Sequence, residues 1–78
     1  MTDTFTFTVT LRPEPEGGFT VRVLELQEIV TYGEDEAEAM AMAKEAIELV
    51  IESRTERGEP LPDASDTLVR QVTVPRAA

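Results

Sequence analysis

The chain has 78 residues, which is the size of a single small domain. It carries 16 acidic and 7 basic residues, a net charge of −9, and no histidine or cysteine. These counts exclude the usual zinc, haem and iron–sulfur sites and the Ser-His and Cys-His nucleophile pairs. The negative charge argues against nucleic-acid binding over a broad surface and favours a basic protein partner. We therefore expect a binding protein that is not an enzyme and needs no cofactor.

The N-terminus has neither the basic nor the apolar segment of a signal peptide, and the longest apolar run is far too short to span a bilayer. These features predict a cytoplasmic protein without membrane contact.

Apolar residues alternate with threonine from Thr4 to Leu11, which predicts a strand over residues 4–12 with one buried face. Gly17 and Gly18 follow two prolines and permit the positive φ angles of a hairpin loop. The threonine face comprises Thr4, Thr6, Thr8, Thr10 and, on the next strand, Thr20. It is either the polar outer surface of a sheet covered on one side or a contact with another sheet or strand.

Three more strands are predicted from shorter runs of Val, Ile, Thr and aromatic residues. They cover residues 18–24, residues 28–33, where Gly33 ends the strand, and residues 67–74. The connection between the second and third strands contains no Gly or Pro, so its geometry is open.

A long helix is predicted over residues 36–57. Asp35 and Glu38 have capping-box spacing, and Gly58 is the expected residue after the C-cap. The three carboxylates of residues 34–36 could hold Mg²⁺, but helix capping explains them without a ligand, so we expect no metal. The core face of the helix comprises Ala39, Met40, Ala43, Ala46, Ile47, Val50 and Ile51.

Two surfaces of this helix are candidates for binding a partner. The acidic face comprises Glu38, Glu45, Glu48, Glu52 and Glu56. It is either a solvated surface or an electrostatic guide for a basic partner. Met42 and Leu49 form an apolar edge beside the core face. Either Leu26 and Leu61 fold over this edge, or it contacts another chain in a homodimer or higher oligomer, which would help to stabilise so small a domain.

Three motifs in a fixed order resemble the HicB antitoxins. They are Glu14-Pro15-Glu16-Gly17-Gly18-Phe19-Thr20-Val21, Ala43-Lys44-Glu45-Ala46-Ile47-Glu48-Leu49 and Gly58-Glu59-Pro60-Leu61-Pro62. The sequence departs from the family before the third strand, where only Leu26 matches the usual Pro-x-Leu-Pro-Gly-Cys-like turn. Asp35 also replaces the usual threonine cap. The resemblance implies an α+β, β-β-β-α-β partial ribonuclease-H-like fold. In that fold a single long helix packs on one face of a four-stranded sheet, and the fourth strand lies parallel to the first.

The resemblance also implies a function: an antitoxin module that binds and neutralises a small basic mRNA-cleaving toxin of the HicA type by protein–protein contact. Many family members add a C-terminal DNA-binding domain. We expect only the N-terminal domain over residues 1–78, without direct nucleic-acid binding. One alternative is a stand-alone HicB-like structural domain without a cognate toxin. Another is a divergent metal-dependent nuclease, which would need converging carboxylates in the sheet.

Overall fold

The computed structural model describes residues 4–76 and has three antiparallel strands and one helix. Strand β1 spans Val9–Pro13, β2 spans Phe19–Val23, β3 spans Leu26–Gly33, and helix α1 spans Glu36–Glu56. The order across the sheet is β1-β2-β3, with each strand antiparallel to its neighbour, and α1 contacts all three strands. The predicted α+β class and the single long helix are confirmed.

The first hairpin closes through two glycines with positive φ. Gly17 has φ +103° and Gly18 has φ +80°, values that residues with a Cβ adopt only with strain. The Glu14 N–H donates to the Gly18 carbonyl at 2.9 Å, and the Tyr32 hydroxyl donates to the Gly17 carbonyl at 3.1 Å. These bonds fix the loop against β3 as well as between its own strands.

The second hairpin is tighter than the sequence suggests. It turns at Leu24 and Glu25, so β3 begins at Leu26 rather than at the start of the predicted 28–33 range. Partial burial alone would raise the pKa of the Glu25 carboxyl, but hydrogen bonds from Thr8 and from its own backbone N–H outweigh burial and lower that pKa. The Glu25 Oε1 accepts the Thr8 N–H at 2.7 Å and so joins this turn to the chain before β1.

The first strand is shorter than the predicted residues 4–12. Val9 pairs with Val23, the last residue of β2, so the chain before Val9 extends past the end of its neighbouring strand. Thr6 instead contacts the segment that follows the helix, because the Ala64 N–H donates to the Thr6 carbonyl at 2.7 Å.

Residues 67–74 do not form the predicted fourth strand, and the sheet has three strands within the described residues 4–76. After a turn in which the Thr67 N–H donates to the Ala64 carbonyl at 2.9 Å, residues 68–76 run free of the sheet and are exposed. Strand propensity is a preference for a pleated, half-buried surface, and this segment has no neighbour to supply one. The projecting segment agrees with a radius of gyration of 15.0 Å, against about 12 Å for a compact chain of this length. The ribonuclease-H-like fold is therefore not confirmed.

Both ends of the helix are capped. The Asp35 Oδ1 accepts the Glu38 N–H at 2.7 Å, and the Glu38 carboxylate accepts the Glu34 N–H at 2.9 Å. At the other end Gly58 has φ +69°, and the N–H groups of Gly58 and Glu59 donate to carbonyls of the last turn at 3.1 and 2.9 Å. This double hydrogen bond is the Schellman arrangement, which satisfies carbonyls that the helix leaves free.

The core lies between the sheet and α1 in two clusters. One contains Val21, Ala39 and Ala43, and the other contains Val23, Leu26 and Ile29. The small alanine side chains let the helix approach the sheet closely. The approach is closest at Gly33, where an added Cβ would overlap the backbone of Ala39.

The face of the sheet away from the helix carries positive charge. Arg12 and Arg22 are exposed on it, and because Arg22 pairs with Thr10 the two arginines are diagonal neighbours on adjacent strands. The threonine face is only partly free: Thr10 is exposed, whereas Thr20 is half-buried and its hydroxyl donates to the Glu14 carboxylate at 2.8 Å.

The carboxylate of Asp63 joins the segment after the helix to the chain before β1. Its Oδ1 accepts the Thr6 N–H at 2.9 Å and the Ser65 N–H at 3.0 Å, and its Oδ2 accepts the Ser65 hydroxyl at 3.1 Å. These hydrogen bonds, led by the one from Thr6, hold the pKa of Asp63 below its usual range.

Asp63→Asn is expected to be less stable than the wild-type chain at neutral pH, and the difference should shrink in acid. A carboxyl whose pKa is lowered by folding stabilises the fold above its unfolded pKa of about 3.9, and this contribution is lost as the pH falls through the folded pKa. Urea denaturation between neutral pH and about pH 2 measures the difference. Asp66→Asn is the control, because Asp66 is exposed and accepts no hydrogen bond from any residue between 4 and 76. A difference that is independent of pH would contradict the assignment.

Candidate functional site

The acidic face of α1 is fully presented to solvent. All five of its members, Glu38, Glu45, Glu48, Glu52 and Glu56, are exposed. None of them forms an ion pair with another residue in the described range 4–76. Glu38 also serves the helix N-terminus, so four of the five carboxylates are left without a structural hydrogen bond in that range. Like charges at i+3 and i+4 spacing repel one another, so this face gains from a cation that approaches it.

Two arginines near the end of the helix pair with other carboxylates. Arg54 contacts Glu28 on β3 at 3.0 Å, and Arg57 contacts Glu59 at 3.0 Å. A hydrogen bond from its own backbone N–H and one from Arg54 lower the pKa of Glu28. These pairs engage two basic side chains near the end of the helix with carboxylates that do not belong to the acidic face.

The apolar edge is exposed in the single chain. Met42 is 36% exposed and Leu49 is 62% exposed. Leu26 does not fold over them, because it is fully buried in the core cluster with Val23 and Ile29. Leu61 is half-buried, and Leu49 remains largely in solvent despite it. Of the two alternatives for this edge, cover by Leu26 is therefore excluded.

A second apolar surface, which the sequence did not indicate, lies on the opposite flank of the helix. It is a groove of about 320 Å³ between α1 and the chain that leads into β1. Its lining comprises the charged Lys44 and Glu48 and the apolar Phe5, Phe7, Val9, Met40, Ala43, Ile47 and Ile51. Periodicity placed Met40, Ile47 and Ile51 on the core face. Met40 is nevertheless 45% exposed, because residues 4–76 place no strand beyond β1 to cover it. The sequence signal for this groove was the predicted core face of the helix, which is too wide for three strands to cover.

The remaining candidate residues do not form a metal site within the described part of the chain. Within residues 4–76, no three carboxylates lie close enough together to hold a metal ion, including those of residues 34–36. The converging carboxylates that a metal-dependent nuclease needs are thus not found in this part of the chain. The described part of the chain also has no helix with the length and apolarity to cross a bilayer.

Comparison with known proteins gives one clear relationship. The chain is 38% identical over 71 residues to the antitoxin HicB of Escherichia coli strain K12 and, equally, to that of Escherichia coli O157:H7. The match covers 88% of this chain and 51% of each relative, so the chain spans about half the length of these proteins. No family model and no solved structure matches it. The predicted resemblance is confirmed by the two relatives: over the residues that it shares with them, the chain is HicB-like.

Proposed function

We propose that the chain is an antitoxin module, which binds a small basic toxin of the HicA type and neutralises it by protein–protein contact. The observation that carries this proposal is the similarity to two antitoxins over 88% of the chain. The proposal assigns no catalytic residue to the chain.

The acidic face is the surface that we assign to the toxin. Its exposed glutamates have no ion-pair partner among residues 4–76, so a basic protein could neutralise them without first breaking an existing ion pair. Such a field steers a partner of opposite charge and raises the rate of association. The apolar edge of Met42 and Leu49 borders this face and would add apolar contact area after the encounter.

A double charge reversal, Glu45→Lys with Glu52→Lys, is expected to weaken toxin binding about 10- to 100-fold, mainly through slower association. Glu48 then lies between two lysines at i+3 and i+4 spacing, so the helix itself should not be destabilised. Binding kinetics of the purified chain with the toxin, at low and at high salt, measure the loss. Growth rescue on co-expression with the toxin measures its consequence.

The matched control reverses two exposed acidic residues outside the helix, Glu16→Lys with Asp66→Lys, and changes the net charge by the same amount. If both double variants weaken binding equally, the effect is due to net charge and the acidic face has no special role. If neither does, the toxin docks elsewhere on the chain.

A stand-alone interaction domain without a toxin is the second candidate, and the exposed apolar surfaces of the single chain favour it. Pull-down and co-expression with the product of the neighbouring gene separate the two proposals. Binding together with growth rescue supports the antitoxin module. A chain that associates only with itself supports the stand-alone domain.

A further inference from the structure

The outer edge of β1 has backbone groups that no strand uses. The Leu24 N–H donates to the Thr8 carbonyl at 2.9 Å, and the same register continues along β1 and β2. Backbone groups in an antiparallel pair alternate between the partner strand and the opposite side. The N–H and C=O groups of Val9 and Leu11 therefore point away from β2, where residues 4–76 provide no neighbouring strand.

The segment Leu68–Val74 has the sequence of a strand but lies in solvent. Leu68, Val69, Val72 and Val74 are 76%, 58%, 86% and 73% exposed. In an extended conformation Leu68, Val72 and Val74 share one face with Arg70, and the opposite face is mostly polar. A segment of this kind can pair as a strand with the free edge of a sheet.

The open groove beside β1 is the surface that could receive this segment. It is mainly apolar, with Phe5, Phe7 and Val9 on one wall and helix residues on the other. Lys44 and Glu48 line it as well, so Arg70 would meet one side chain of opposite charge and one of like charge. Leu68–Val74 and Phe5–Leu11 each have seven residues, about 20 Å when extended, so the segment fits alongside the edge.

We propose that Leu68–Val74 of one chain adds as a strand to the β1 edge of a second copy, with Leu68, Val72 and Val74 in the groove and Arg70 beside Glu48. The second copy returns the same contact. This proposal does not rest on the antitoxin function, although it shares Glu48 with the acidic face. It assigns the dimer interface to a different flank of the helix from Met42 and Leu49.

A second copy is the occupant because the two halves of the contact belong to the same sequence but do not meet within one chain. After the turn between Ala64 and Thr67, the segment forms no strand pairing with its own β1 and is exposed. A two-fold exchange makes the contact twice, which doubles the area buried. It also removes two free strand edges and two exposed apolar segments from solvent in one step.

Light scattering over a range of concentrations tests this proposal on the full chain. The wild-type chain is expected to form a dimer, and Val72→Asp is expected to dissociate it about 100-fold more readily, because a carboxylate cannot enter the groove without losing its hydration. Thr73→Asp is the matched control, since it adds the same charge on the solvent side of the strand. Its dimer should be close to wild type.

The groove is tested from its helix wall. Met40→Glu should weaken the dimer as Val72→Asp does, whereas Met42→Glu on the other flank should not. A mixture of Val72→Asp and Met40→Glu chains retains one intact segment and one intact groove, so it should form heterodimers that neither variant forms alone as homodimers. Circular dichroism of each variant confirms that the single-chain fold is intact.

Four results would overturn the proposal. They are a wild-type chain that is monomeric at all concentrations, a dimer that Val72→Asp leaves unchanged, a dimer that Met42→Glu dissociates and Met40→Glu does not, and equal loss with Thr73→Asp. The first would mean that the segment folds onto its own β1 or stays free, and the third would assign the interface to Met42 and Leu49.

Discussion

Gly33→Ala is expected to lower the free energy of unfolding by about 3 kcal/mol, enough to leave much of so small a domain unfolded. The glycine ends β3 directly beneath the first turn of α1, and an added Cβ would overlap the backbone N and Cα of Ala39. Because backbone atoms cannot rotate aside as a long side chain can, the helix itself must move. Urea denaturation followed by circular dichroism measures the loss.

The control for this prediction is Gly17→Ala in the first hairpin. Gly17 has φ +103°, so alanine there is strained, but a Cβ would meet no atom within 4 Å. The expected cost is about 1 kcal/mol, from backbone strain alone. If Gly33→Ala proves no more destabilising than Gly17→Ala, the helix can shift without loss and the contact with Ala39 does not limit stability.

Leu26→Ala is expected to cost about 3 kcal/mol. Leu26 is the largest of the fully buried side chains, and it belongs to the core cluster against which the helix residues Ala46, Ile47 and Val50 pack. Its truncation removes apolar contacts and leaves a cavity that the surrounding backbone can fill only in part. Thermal and urea denaturation measure the change.

Leu24→Ala makes the same chemical change two residues earlier and provides the comparison. Leu24 lies in the β2–β3 turn and is 50% exposed, so its truncation should cost less than about 1 kcal/mol. Equal losses for the two variants would mean that the core does not extend to Leu26. Leu26 also matches the HicB pattern at this turn. If the Leu26→Ala chain is stable, burial in the core does not explain that match.

Local signals predicted the parts of the fold that form from nearby residues. The helix boundaries follow from Asp35 and Gly58, whose roles depend on the backbone of one turn. The first hairpin follows in the same way from Gly17 and Gly18. The start of β3 was missed because Leu24 and Glu25 turn the chain without any residue typical of turns.

Contacts between distant segments were harder to predict. The run of Val and Thr after residue 67 has the composition of a strand, but composition does not say which edge, or which molecule, the strand pairs with. The groove beside β1 is open because residues 4–76 place no strand there. Helical periodicity alone therefore did not distinguish the exposed Met40 from the buried Ala43. The acidic face was visible from helical periodicity, whereas its binding partner remains a proposal.

Arg12 and Arg22 on the outer face of the sheet, together with the glutamates of α1 on the other side, make the domain an electric dipole. A dipole in the field of a cationic protein experiences a torque as well as an attraction. The helix side is therefore expected to rotate toward such a protein before the surfaces touch, which raises the fraction of collisions that are correctly oriented. This alignment should operate over about the Debye length, roughly 8 Å at physiological ionic strength, and shorten as salt is added.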